Sequence, residues 1–201
     1  MKRLFCLSCL FLLLFSFSLV SAAERVPLKV LRVPVVAVGW MQPSKEALAD
    51  FEGRIGRALH VPLNGVLRAV EFMPREAAEK VFLDTYSEAG GKKVKWRELV
   101  KPLALKTDAD LVLLPVLTGY EQYQSMRWDW RRGTFLHSYA SWELCLYDAR
   151  TDMVIRKEAS RSFNDCYSAR GSAAALASEA LDAALREAKV HELIWPDLQA
   201  K

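Results

Sequence analysis

Three consecutive strands between Asp110 and Phe163 constrain this chain more than any other stretch. Asp110-Leu-Val-Leu-Leu-Pro-Val-Leu-Thr-Gly119 is an unbroken apolar run, which predicts a strand buried on both faces near the middle of a sheet. The segments around Phe135 to Tyr147 and Met153 to Phe163 alternate more. They are joined by Asp148-Ala-Arg-Thr-Asp152, whose Asp and Thr residues favour a tight turn, so the three strands form an antiparallel meander.

Helices flank this unit. Val30-Leu-Arg-Val-Pro-Val-Val-Ala-Val-Gly39 reads as a strand with Pro34 setting an edge or bulge near its start. Ser44 then caps a helix whose Leu48, Phe51, Ile55 and Leu59 share one face. A short strand is expected within Val66 to Met73. Pro74 opens a helix from Arg75 to about Glu88, stopped at Gly90-Gly91, and a shorter helix spans Trp96 to Lys106, bent or begun at Pro102. The Ala-rich segment from Ser172 to Leu193 is the clearest helix, with Leu176, Ala180, Ala184 and Ala188 along one stripe. This order predicts an α+β fold: a two-layer sandwich with a mixed sheet of four to five strands and helices packed on one face.

The amino-terminal residues set the expected compartment. Lys2 and Arg3 precede an apolar run from Leu4 to Val20, and Val20-Ser21-Ala22-Ala23 offers small residues for cleavage, so residues 1–23 read as a signal peptide and 24–201 as one exported domain. Cys6 and Cys9 lie at the start of the apolar run, not where a lipid-modified cysteine would become the mature terminus. A cleaved leader without a lipid anchor is therefore expected, with membrane contact only peripheral. The 28 basic and 24 acidic residues give a net charge of +4, which falls to about +2 once Lys2 and Arg3 leave. So small an excess does not point to nucleic acid. Cys145 and Cys166 remain after cleavage, and in an oxidising compartment they are candidates for a disulfide.

The sequence offers little for catalysis. His60, His137 and His191 fall in no metal-ligand spacing, no nucleophile elbow or reactive-cysteine signature is present, and Gly90-Gly91-Lys92-Lys93 follows a helix instead of a strand and lacks the spaced first glycine and the Ser or Thr of a phosphate loop. His137 shares a strand face with Phe135, Tyr139 and Glu143, but His137 and Glu143 are too far apart there to act as a direct acid–base pair. No catalytic residue, metal or cofactor is expected. The connection after the central strand stands apart, since Tyr120, Tyr123, Arg127, Trp128, Trp130, Arg131 and Arg132 are the residue types that anchor interfaces, combining large contact area with a polar handle. Packing of the tryptophans over a sheet end is the competing reading.

Thr107-Asp-Ala-Asp-Leu-Val-Leu-Leu-Pro-Val-Leu-Thr-Gly-Tyr120, followed by Glu143-Leu-Cys-Leu-Tyr-Asp-Ala-Arg-Thr-Asp-Met-Val-Ile155, resembles small exported bacterial envelope domains. These are the amino-terminal domain of the Tol-system propeller protein, the curli secretion lipoprotein, and the lipoprotein activators of penicillin-binding proteins. In them an Ala-Asp pair precedes a strand, and a later strand ends in an Asp-containing turn. The resemblance implies a protein that binds other envelope proteins, or its own copies, without catalysis, and the chain departs from the lipoprotein members in lacking the attachment cysteine. The expected function is that of a non-catalytic periplasmic partner-binding protein. The alternative is a small-ligand module with its pocket between helices and sheet.

Overall fold

The computed structural model describes residues 26–91, 94–126, 134–166 and 168–195. Within them the chain forms β1 (Leu28–Arg32), β2 (Val36–Ala37), α1 (Lys45–Ala58), α2 (Asn64–Leu67), β3 (Val70–Phe72), α3 (Arg75–Glu88) and α4 (Trp96–Thr107). The long strands β4 (Leu111–Met126), β5 (Thr134–Asp148) and β6 (Met153–Cys166) follow, then a 3-10 turn (Ala169–Gly171), α5 (Ala173–Glu187) and α6 (Val190–Ile194).

The α+β class and the mixed sheet are as the sequence predicts. Strand order is β3-β1-β4-β5-β6, with β2 also paired to β4. β1 lies parallel to β3 and β4, β2 lies parallel to β4, and β4, β5 and β6 form the antiparallel meander. A sixth strand arises because the first predicted strand breaks at Pro34. Val33 donates its amide to the Leu113 carbonyl and Val38 to that of Leu117, both at 2.9 Å, so these odd-numbered residues of β4 turn their polar groups toward β1 and β2. Pro115 falls between them. The amide proton it lacks would point into the Pro34 break, where no ladder exists, and this is how a proline is accommodated in a central strand.

β4 is buried on both sides, and the helices divide between its faces, where the sequence predicts helical cover on one face. Leu111, Leu113 and Leu117 pack with Leu144, Leu146 and Trp142 of β5 under α1 and α5. Val112, Leu114 and Val116 pack with Cys145 and Tyr147 under α3 and α4. On α1 the Ser44 hydroxyl accepts from the Ala47 amide at 3.2 Å, and Phe51 and Ile55, one turn apart, are fully buried. Ala177, Ala180 and Ala184 let α5 lie close on the sheet. Between the layers, Trp142 donates its indole N–H to the Ala177 carbonyl at 2.8 Å and meets Phe51 edge-on, with ring centroids 5.3 Å apart. One side chain thus ties β5 to both α1 and α5. Between the sheet and the α1–α5 layer the space is filled by Phe51, Ile55, Trp142, Leu181 and Leu185, which leaves no room there for the interlayer pocket of a ligand-binding module.

The disulfide expectation is corrected. Cys145 lies opposite Arg156 and Cys166 opposite Phe135, ten residues apart along β5. At about 3.3 Å per residue that is roughly 33 Å, against the ~7 Å that a disulfide can span between Cα atoms. Burial pushes the Cys145 thiol up to about 12, with Glu143 adding to the effect, so it stays protonated and inert.

Replacing Trp142 with Phe removes a buried hydrogen bond and part of a filled volume, and is expected to lower stability by about 2 kcal/mol. Urea unfolding monitored by circular dichroism checks this, and a loss under about 0.5 kcal/mol would show that Trp142 does not hold the layers together.

Candidate functional site

The long strands outrun the helices on one face. Under α3 and α4 the sheet is covered as far as Val116 and Cys145. Beyond them, register places Gly119, Glu121, Tyr123 and Ser125 of β4 beside Ser141, Tyr139, His137 and Phe135 of β5, followed by Ser160, Ser162, Asn164 and Cys166 of β6. The reverse side of this outer half is closed. Leu136, Ser138 and Ala140 are buried there, Gln122 accepts a hydrogen bond from the Ala173 amide at the start of α5 (2.8 Å), and the Phe163 ring lies so near Gly171 that a Cβ would meet it at 2.4 Å.

One irregularity decides which residues face outward. The β4–β5 register shifts between Leu117 and Gly119, so Thr118 is an extra residue in β4. Its hydroxyl donates to the Ser141 carbonyl at 3.2 Å. Because side chains alternate, one inserted residue exchanges the two faces. Leu117 looks toward α1 and α5, while Tyr123, six positions later and of the same parity, looks the other way.

On the outer face Tyr123 is 61 % exposed and its ring stacks on that of His137, with centroids 4.7 Å apart and planes within 9°. Ser125 Oγ and His137 Nε2 share a hydrogen bond at 2.7 Å, which fixes the imidazole edge. Tyr139, 41 % exposed, packs its ring against Gly119, where a Cβ would come within 2.5 Å of it. The aromatics therefore form a platform bordered by Ser141, Ser160, Ser162 and Asn164, with Glu121 the one charged side chain of β4 on it among the described residues. Such a surface carries aromatic rings and little charge, as the centre of a protein contact tends to, with serines along its border.

Of the residues singled out in the sequence, Tyr123 belongs to this platform. Tyr120 does not. It sits on the opposite face beside the α1–α5 core, where burial raises its phenol above the ordinary tyrosine value. Arg127, Trp128, Trp130, Arg131 and Arg132 lie outside the described residues, in the segment joining the paired ends Met126 and Thr134. His137 and Tyr139 complete the platform. Their sequence signal is the alternation Phe135, His137, Tyr139, Ser141. Glu143 is six residues along β5 from His137, about 20 Å, and is held by Arg156 at 2.8 Å. Among the described residues no group of three or more His, Cys, Asp or Glu is placed to hold a metal, and no helix is long and apolar enough to cross a membrane.

No family model matches the chain, and no curated protein does. Solved structures similar to it include lipoprotein GNA1162 from Neisseria meningitidis (17 % identity, TM-score 0.41, covering 78 % of this chain and 97 % of that one). A second is the PelC dodecamer from Paraburkholderia phytofirmans (13 %, TM-score 0.39, covering 82 % and 88 %). A third is the hypothetical protein CT253 from Chlamydia trachomatis (19 %, TM-score 0.42, covering 86 % and 100 %).

Gly119→Ala is expected to lower stability by about 1–3 kcal/mol through the clash with Tyr139. Combined with Tyr139→Ala, the same change should cost much less, so a double-mutant cycle reports coupling. Strict additivity would mean that Tyr139 does not rest on Gly119.

Proposed function

We propose that this is an exported, non-catalytic envelope protein that works in the periplasm by contact, using the outer half of the β4–β5–β6 ribbon as its docking face. The observation that carries the reading is the one-sided cover of that ribbon. Its reverse is sealed by α5 and the 3-10 turn, while Tyr123, His137 and Tyr139 are left at the surface as an ordered aromatic platform. Aromatic rings already stacked and hydrogen-bonded lose little conformational freedom on binding, so their burial under a partner is gained at low entropic cost.

The leader pattern of residues 1–23 supports delivery across the inner membrane. The resemblance to the Tol, curli and penicillin-binding-protein activator domains belongs to this proposal and points to another envelope protein, or a second copy of the chain, as the occupant. The segment carrying Arg127, Trp128, Trp130, Arg131 and Arg132 lies between Met126 and Thr134 in the sequence, outside the described residues, and belongs to the same proposal by its residue types.

Affinity capture from solubilised envelopes tests this. Tyr123→Ala combined with Tyr139→Ala, and separately Trp128→Ala combined with Trp130→Ala, should each lose partners that the parent retains, whereas the exposed Leu105→Ala on α4 should lose none. Retention of every partner by both double variants would contradict the assignment.

A further inference from the structure

Away from the ribbon face, a second feature has the chemistry of a ligand site. A surface cleft of about 570 Å³ lies between α1, α5 and β6, lined by Arg54, Arg57, Arg161 and Arg186 together with Glu179 and Asp182. Four guanidinium groups thus face two carboxylates, with Ala58 and Leu185 as apolar wall.

The four arginines are not equivalent. Arg54 is committed: its Nε donates to Asp50 at 2.8 Å and its terminal nitrogen pairs with Asp182. Ser178 donates to the same Asp50 carboxylate at 2.8 Å, so Arg54 is held in a network bridging α1 and α5. The Arg54 hydrogen bond keeps the Asp50 carboxyl below the usual range, and both acids of this network are occupied. Arg57, Arg161 and Arg186 make no ion pair among the described residues. Among the described residues, Arg161 donates to the Ser160 carbonyl beside it, at 2.8 Å.

Solvated arginines scattered over a surface need no explanation. Three converging from three separate elements do, because like charges brought together oppose the compact state. An anion placed among them relieves that repulsion. Guanidinium forks match the tetrahedral oxygens of a phosphate group with paired hydrogen bonds, and apolar walls strengthen each of those bonds. The volume lies within the range of small-ligand sites. We infer that this cleft, separate from the docking face, binds a phosphate-bearing ligand through Arg57, Arg161 and Arg186, with Arg54 held in place by Asp50 and Asp182 as the fixed side of the site.

The probe is inorganic pyrophosphate, titrated calorimetrically at low salt into protein purified after expression of the full chain. Saturable binding is expected. Arg57→Gln combined with Arg186→Gln should weaken it about tenfold or more, the loss appropriate to two charge-assisted contacts. Both side chains are exposed, so the fold should survive, and an unchanged melting temperature checks this. Lys45→Gln combined with Lys80→Gln, which removes the same charge elsewhere, should leave affinity unchanged. Co-sedimentation with phosphatidylglycerol vesicles, compared with phosphatidylcholine, distinguishes the source. Binding to the former that pyrophosphate displaces assigns the phosphate to a lipid headgroup, and pyrophosphate binding without vesicle binding assigns it to a free ligand. Absence of binding to either probe would overturn the inference. So would equal weakening by the two double variants, or poly-glutamate binding as tightly as pyrophosphate.

Discussion

Burial of β4 on both faces is the constraint from which the rest of the architecture follows. Leu111, Leu113 and Leu117 on one side and Val112, Leu114 and Val116 on the other are withdrawn from water. At about 25 cal/mol per Å² of apolar surface, neither set can be left uncovered. Two helical layers are therefore required, and the chain supplies α1 and α5 for one face and α3 and α4 for the other. The same requirement lapses after Thr118. From there β4 reads Gly-Tyr-Glu-Gln-Tyr-Gln-Ser, which one covering layer satisfies, and the ribbon extends past α3 and α4 with its outer face open.

Much of this was legible in the sequence for reasons that can be named. Local signals act within a few residues, which is why the Ser44 cap, the helix opening after Pro74 and the turn at Asp148 to Asp152 fall where the residues indicate. The unbroken apolar run from Leu111 likewise announced a strand covered on both sides. The division of helices between the faces was less legible, because an amphipathic helix shows that it has a buried side but not which side of the sheet receives it. The sheet's sixth strand was hidden in the Pro34 run, since the break depends on pairing with β4.

The site was only partly legible, and the bulge explains why. Odd and even positions along β4 assign Tyr123 to the same face as Leu117, and only the extra residue at Thr118 reverses them. A bulge is set by pairing between distant segments and leaves no periodic trace in either. Proximity in the chain groups Tyr120 with Tyr123, whereas three steps along a strand separate them onto opposite faces. Cys145 and Cys166 failed as a pair for a related reason. A hairpin with its turn at Asp148 to Asp152 carries the two cysteines to opposite ends of the ribbon, and no compartment chemistry can bring them together. The arginine cleft is assembled from three elements distant in sequence and has no local signature.

Sealed behind and open in front, the outer ribbon should be solvent-accessible in the isolated protein and occluded where the protein works. Hydroxyl-radical footprinting of Tyr123 and Tyr139, on purified protein and on intact cells, measures that difference directly, with the buried Trp142 as the unreactive reference. The account predicts strong modification of both tyrosines in the purified protein and protection of both in the cell envelope. Equal modification in the two settings would contradict it, because a docking face must be covered by something when the protein is in place.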